Sequence, residues 1–324
     1  MRVIDAVEDF LAYLEVSKPS AHTVKAYRTD LVAVVDVVSQ QTGVDAEGLE
    51  VSAFDLSTLR RAFALRSRDL AASSLARSHT TWNRFFRFLR SEGIVEVNPM
   101  DEIERARIPS SRPKSIDVPD VAARILAAAA DPEPKARAVW PARDVAVVAL
   151  LTTTGLRLAE VVSLDIGSFS GRSGERQLSV VGKGNKTRTI PVSDRLVDLI
   201  EGYLKERTER FEGHDLEDSS TPLLVHPVSG RRVTSRQIQY LVERLYRRSG
   251  LRSSVPEGAL VHALRHTFAM DLLDHGATII EVQRLLGHAS LNTTRRYLDA
   301  RPDELRNAVA SLESVRALGD KGST

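Results

Sequence analysis

The chain has 324 residues, enough for about two domains with sizeable cores, and its 45 Lys and Arg against 43 Asp and Glu leave a formal charge of only +2, which selects no partner. The absence of cysteine excludes a disulfide framework, a thiol nucleophile and any thiolate metal site, and suits a reducing compartment. The N-terminus MRVIDAVEDF is acidic, against a signal peptide, and the longest apolar stretch, Val145 to Leu151, is far short of the roughly 20 residues of a membrane span, so a soluble cytoplasmic protein with no membrane partner is expected.

Residues 4–16, 23–39, 57–69 and 73–92 carry apolar residues at three- and four-residue spacing, which predicts four amphipathic helices and an all-helical first domain. In the fourth, Trp82, Phe85, Phe86 and Leu89 form one stripe, a candidate core, while Arg84, Arg87 and Arg90 crowd another. Between Leu59 and Arg90 there are eight arginines and one acid, whereas residues 1–58 hold four basic and ten acidic residues. Such a segregated stripe is either a solvated face or a surface that meets something anionic, and Arg77, Arg84, Arg87 and Arg90 are its candidates.

Asn98-Pro99 punctuates the end of this unit, and RIPSSRPKSIDVP (107–119) reads as a linker. Its Arg112 and Lys114 suit a strap lying near phosphates or simply a soluble connection. Beyond it the pattern is mainly helical, with one β-hairpin predicted over residues 177–192 around a Gly-Lys-Gly-Asn-Lys turn, and a second short run from Leu223 to His226 before a Ser229-Gly230 turn. Thr234 and Gln237 form a capping box for a helix reaching about Arg248. Seven arginines lie between Arg231 and Arg252 against one acid, Glu243, and Arg236 among them joins the candidate contacts to an anionic partner. The fold class is therefore mainly α: a four-helix N-terminal domain, then a mixed, mostly α domain with a small antiparallel sheet.

Four segments place reactive residue types at informative spacings. In TGLRLAEVVSL, Arg157 and Glu160 lie three apart at a helix start, so the acid can hold the guanidinium. In the hairpin turn Lys183 sits between two glycines, with Lys186 as a rival nearby. In HALRHTFA, His262 and Arg265 share a helical face; His262 and His266 have the spacing of a metal pair, but zinc needs at least a third ligand and no Glu follows His262 to act as a metalloprotease base. In LLGHASLNTTRRY, His288 precedes Tyr297 by nine residues. Arginines grip phosphate oxygens with bidentate hydrogen bonds and stay charged at any working pH, so the set suits phosphoryl transfer without metal or cofactor.

These four motifs, in this order, resemble the catalytic boxes of the tyrosine recombinases, also called phage integrases. NRFFRFLRSEGIVEVNP is similar to the end of that family's helical core-binding domain. The resemblance covers nearly the whole chain and implies a core-binding, DNA-binding domain over 1–106, a linker over 107–117 and a catalytic domain over 118–324. It implies Arg157, Lys183, His262, Arg265, His288 and Tyr297 as the active site. Met270, where Thr is common, and Asp299, where His is common, depart from the pattern without touching those six.

The resemblance further implies attack by Tyr297 on a DNA phosphodiester, giving a 3′-phosphotyrosyl link, with Lys183 the general acid, His262 the candidate base and His288 a donor to phosphate. The implied partners are double-stranded DNA recombination or attachment sites, a homotetramer of the protein on DNA, and in some systems a directionality factor. A helix near Glu304 to Val315 either docks on a neighbouring protomer or packs on its own domain. Helices starting by residue 4 suggest a compact recombinase without an arm-binding domain. Integration and excision of a phage or other mobile element is the expected role, with Xer-type resolution of chromosome dimers and type IB topoisomerase activity as alternatives.

Overall fold

The computed structural model describes residues 1–16, 21–108, 120–133, 138–182, 186–255 and 259–287. Residues 109–117 of the expected linker, with Arg112 and Lys114, and the expected helix from Glu304 lie outside these residues. Two compact units divide the chain, Met1–Ser110 and Ser111–Thr324.

The first unit is built from four helices, α1 (Val3–Val16), α2 (Ala21–Thr42), α3 (Leu56–Asp69) and α4 (Ala72–Ser91), close to the four that apolar spacing predicts. Asp55 starts α3, its carboxylate accepting the Thr58 N–H at 2.7 Å, which satisfies one orphan donor of the first turn. The aromatic stripe of α4 is the centre of the core: Trp82, Phe85, Phe86 and Leu89 are buried, and Phe85 meets Phe10 of α1 edge-on with 5.5 Å between ring centroids.

One arginine of the α4 stripe departs from the expectation of a free guanidinium. Arg77 donates from Nε and Nη2 to both carboxylate oxygens of Asp30 on α2, at 2.8 and 2.9 Å, and the Asp30 side chain is only 3% exposed. The charge of Arg77 is what allows that carboxylate to be buried, so its first role is to tie α4 to α2. Arg84 donates to the Tyr27 hydroxyl at 3.2 Å and stacks over that ring. Arg87 and Arg90 remain exposed, one helical turn apart.

The second unit comprises α5 (Val121–Ala130), α6 (Pro141–Thr154), α7 (Leu158–Ser163), strands β1 (Phe169–Ser170), β2 (Gln177–Val181) and β3 (Thr187–Pro191), then α8 (Asp194–Arg210), α9 (Ser235–Arg248), α10 (Leu260–Asp274) and α11 (Ile279–Leu286). Every residue from Ala146 to Leu151 is buried, so α6 runs through the core and its apolar run shows no polar stripe. The strands form an antiparallel sheet in the order β1-β2-β3, with Leu178 opposite Ile190 and Val180 opposite Arg188. The predicted hairpin is present over its expected span; β1, at two residues, is too short for a periodic signal.

The apolar run at Leu223 to His226 forms only an isolated bridge, Val225 to Arg232, and not a strand. At α9 the predicted box is in place: the Thr234 hydroxyl accepts from the Gln237 N–H at 3.3 Å, and the Gln237 side-chain oxygen accepts from the Thr234 N–H at 2.9 Å. Among the described residues no helix is long and apolar enough to cross a membrane.

Candidate active site

The site starts at the tight exit from α6. Gly155 there has φ +58°, and a Cβ on it would lie 2.3 Å from the Phe268 ring and 2.9 Å from Leu286, so only glycine lets α10 and α11 approach this turn. Two residues later Arg157 caps the start of α7. Its backbone N–H donates to Glu160 Oε2 at 2.8 Å, and its Nη1 donates to Glu160 Oε1 at 2.9 Å, as the three-residue spacing predicts.

Glu160 is the hub of more than this pair. Arg188, from β3, grips the same carboxylate with both terminal nitrogens, Nη1 to Oε1 at 2.8 Å and Nη2 to Oε2 at 2.9 Å. Arg265, from α10, brings Nη1 within 4.0 Å of Oε2. Burial of the Glu160 side chain, 6% exposed, would raise its pKa, but the hydrogen bonds from Arg188 and from the Arg157 backbone outweigh that and hold it at about 2. It is an anion throughout the neutral range.

The same three guanidinium groups close the C-terminal end of α11. Leu285 O accepts from Arg188 Nε at 3.1 Å, Gly287 O from Arg157 Nη2 at 3.1 Å, and Leu286 O from Arg265 Nη2. Arg265 Nη1 donates to Gly155 O. Cations at a helix C-terminus satisfy its orphan carbonyls and complement the helix dipole. Three guanidinium groups around one carboxylate leave two positive charges in excess, the electrostatics of an anion site. Arg157 is the exposed member, with 42% of its side chain accessible, whereas Arg265 is 4% exposed.

His262 lies on the exposed side of α10, one turn before Arg265, and His266 is buried. Burial, and then the nearby charge of His262, lowers the His266 pKa. Among the described residues no three His, Asp or Glu side chains gather in a way that could hold a metal ion.

Lys183, His288 and Tyr297 lie outside the described residues, but the residues on either side of the Lys183 turn and the one before His288 are placed. Gly182 donates its N–H to Lys186 O at 2.8 Å, and a Cβ on Gly182 would be 3.8 Å from Glu160 Oε1. Lys186 is exposed. Gly287, the residue before His288, is held by Arg157. The structure thus brings together Arg157, Arg265 and the residues that adjoin Lys183 and His288.

Several arginines of the block around α9 are paired within the unit. Arg244 bonds Asp144 at 2.9 Å, Arg248 bonds Asp131 at 2.8 Å, Arg247 bonds Glu243 at 2.6 Å, and Arg232 bonds Asp165. Each of these four has an acidic partner within the unit; Arg236, the candidate from this block, is exposed at the start of the helix. Arg188 is the residue that the sequence motifs missed. It stands opposite buried Val180 and two residues from buried Ile190, hence at a core-facing position of β3 where an apolar residue is the rule. A charge at an inward strand position is the signal that marks it.

Comparison with known proteins agrees with this architecture. The phage integrase family model matches residues 118–304, and that of the phage integrase N-terminal SAM-like domain matches residues 7–93. The chain is 36% identical over 293 residues to tyrosine recombinase XerC of Chromohalobacter salexigens, covering 90% of each, and 32% identical over 304 residues to tyrosine recombinase XerD of Listeria monocytogenes, covering 90% of this chain and 93% of that one. Two solved structures share the fold: XerH recombinase bound to a palindromic difH substrate (TM-score 0.71, 21% identity, 89% of this chain and 79% of that chain) and a lambda integrase dimer bound to a core site (TM-score 0.67, 18% identity, 94% and 79%). With its catalytic-domain match spanning more than half of the sequence, the chain belongs to the phage integrase family, the tyrosine recombinases, enzymes that cleave and rejoin DNA.

Proposed function

We propose that the protein is a site-specific recombinase of the Xer type, exchanging strands between two double-stranded DNA sites and serving the resolution of chromosome dimers. The names of its relatives support this role over the integration of a phage or mobile element that the motifs first suggest. The observation that carries the chemistry is the convergence of Arg157 and Arg265 on Glu160 beside the end of α11.

In this reading Arg157 and Arg265 hold the two non-bridging oxygens of the scissile phosphate. Each preorganised donor of this kind contributes about 3 to 4 kcal/mol to the transition state. The Tyr297 phenol, with an ordinary pKa of about 10, gives its proton to His262 as its oxygen attacks phosphorus. The bond from phosphorus to the 5′ oxygen breaks, and Lys183 protonates that oxygen; His288 donates to the phosphate. The ester is conserved as a 3′-phosphotyrosyl link, so a 5′-hydroxyl from a second DNA can reverse the step. Residues 1–106 and 118–324 would grip the duplex from their two units, four protomers would assemble on two sites, and a directionality factor would be needed only in an integration system.

A nicked duplex built on the sequence that the wild-type protein selects from a random pool tests the chemistry. Wild type should trap as a covalent complex on a denaturing gel, and Tyr297→Phe should bind without trapping; a covalent band from the phenylalanine variant would refute the nucleophile. A bridging 5′ sulfur should rescue Lys183→Ala and not Arg157→Ala, and rescue of Lys186→Ala in its place would transfer the acid role. Relaxation of plasmids lacking the selected site would favour a type IB topoisomerase. Mapping the phenylalanine variant on the host chromosome separates the biological roles: a single site whose deletion leaves chromosome dimers supports Xer, and the borders of a mobile element support integration.

A further inference from the structure

We propose that Arg188 is a positioning residue for DNA cleavage, locking β3, α7 and the end of α11 into one rigid frame without touching the substrate. This rests on the recombinase reading above. Three segments that bear proposed catalytic groups meet at its side chain. Nη1 and Nη2 hold both oxygens of Glu160, the carboxylate that also holds Arg157. Nε holds Leu285 O, three residues before His288. Its own strand begins at Thr187, directly after the turn that carries Lys183.

Geometry makes the residue type specific. The Arg188 guanidinium uses its fork for the carboxylate and Nε for the helix carbonyl, three bonds from one rigid group that a lysine ammonium cannot reproduce. Gly287 lies against it, and a Cβ there would come within 3.0 Å of Arg188 Cδ, so the backbone leading to His288 packs directly on the Arg188 stem. The side chain itself is largely buried, whereas Arg157 is the exposed member of the cluster. Without Arg188, Glu160 loses its bidentate partner and Leu285 O loses its donor, so Arg157 and the end of α11 can shift independently. Misplacement by about 1 Å at this distance from the chemistry slows reaction by about a hundredfold.

The test uses the full-length protein and the selected nicked duplex. Arg188→Ala should bind that DNA with a Kd within about threefold of wild type, yet form covalent complex at saturating protein about 10- to 100-fold more slowly. Arg188→Lys should bind equally well and cleave at an intermediate rate. Because Glu160 is one of the two anchors of Arg188, the effects of Glu160→Gln and Arg188→Ala should combine to clearly less than their product. A purely structural ion pair would instead lower Tm and leave the saturated cleavage rate alone. The proposal is overturned if Arg188→Ala, or Arg188→Lys where the alanine variant fails to fold, cleaves at the wild-type rate once bound. It is overturned equally if the two effects multiply, or if a bridging 5′ sulfur restores Arg188→Ala, which would place its action on the Lys183 turn alone. If wild type forms no covalent complex on this DNA, the recombinase reading fails first; if wild type traps and Arg188→Ala traps as fast, only the present inference fails.

Discussion

In the N-terminal unit Arg87 and Arg90 lie exposed along α4, whereas in the catalytic unit Arg157, Arg188 and Arg265 converge on one buried carboxylate and on the last carbonyls of α11. The first group comes from arginine-rich sequence, whereas Arg157 and Arg265 are each the only arginine within ten residues on either side, so counting charge along the chain finds the first group and not the second. Their physics differs. An exposed arginine offers a field that salt screens and that acts on any polyanion; a buried one offers fixed geometry, and its removal strands the groups it holds. The intermediate case is Arg77, whose guanidinium is half in solvent while its partner Asp30 is not.

The largest effect should come from the most buried member. Arg265→Ala leaves Gly155 O and Leu286 O without these donors and moves a cation away from Glu160. Breaking such a buried cluster costs about 3 to 5 kcal/mol, and if Arg265 holds the phosphate as proposed, its loss costs a further factor of about 100 to 1,000 in cleavage. Urea unfolding and trapping on nicked DNA measure the two separately. An unfolding midpoint like that of wild type would show that the cluster is not a structural unit.

Glu160 gives the comparison a pH dependence. Its folded pKa of about 2 lies below its ordinary 4.5, so it contributes stability that is fully present above pH 4.5 and is lost as pH falls toward 2. The difference corresponds to about 3 kcal/mol. Urea midpoints measured between pH 6 and pH 3 should fall less steeply for Glu160→Gln than for wild type, although the variant is the less stable protein at pH 6. Parallel curves would show that Glu160 titrates normally.

How much of this is legible in the sequence depends on the distance over which each feature acts. The four N-terminal helices, the hairpin, the Thr234 box and the Arg157 to Glu160 pair are local, with a periodicity or spacing that needs only a few residues. Arg77 with Asp30, Arg188 with Glu160 and Arg244 with Asp144 lie 47, 28 and 100 residues apart and have no local signature. The Leu223 to His226 run has strand-like composition, yet its neighbours offer it a single bridge, because pairing is decided by what lies alongside. Of the six candidate catalytic residues, Arg157, His262 and Arg265 fall in the described structure, and their motifs indicated helix positions that the fold bears out.

Arg77 tests the intermediate case. Arg77→Gln removes the bidentate partner of the buried Asp30 and leaves its carboxylate with a 3.3 Å hydrogen bond from Thr81. A loss of about 2 kcal/mol is expected in urea unfolding of the full-length protein. Arg87→Gln in the same helix should shift stability by less than about 0.5 kcal/mol. Equal effects of the two would mean that the Asp30 contact contributes nothing to holding the helices together.

The smallest effect on the fold, and the clearest on binding, belongs to Arg87 and Arg90. They sit one turn apart on the exposed side of α4, opposite the aromatic core, so both can follow a line of phosphates while the unit stays unchanged. Each phosphate contact releases about one counterion, so replacing both with Gln should reduce the slope of log K against log salt by about 1 to 2. Between 50 and 200 mM salt that makes the variant's loss of affinity about four- to sixteenfold smaller than that of wild type. The reduction should be the same on the selected site and on scrambled DNA, since phosphates carry no sequence. A kept slope with lost discrimination would mean that these arginines read bases. If neither slope nor discrimination moved, the face would be simply solvated, and the contrast with the Glu160 cluster would lie in burial alone.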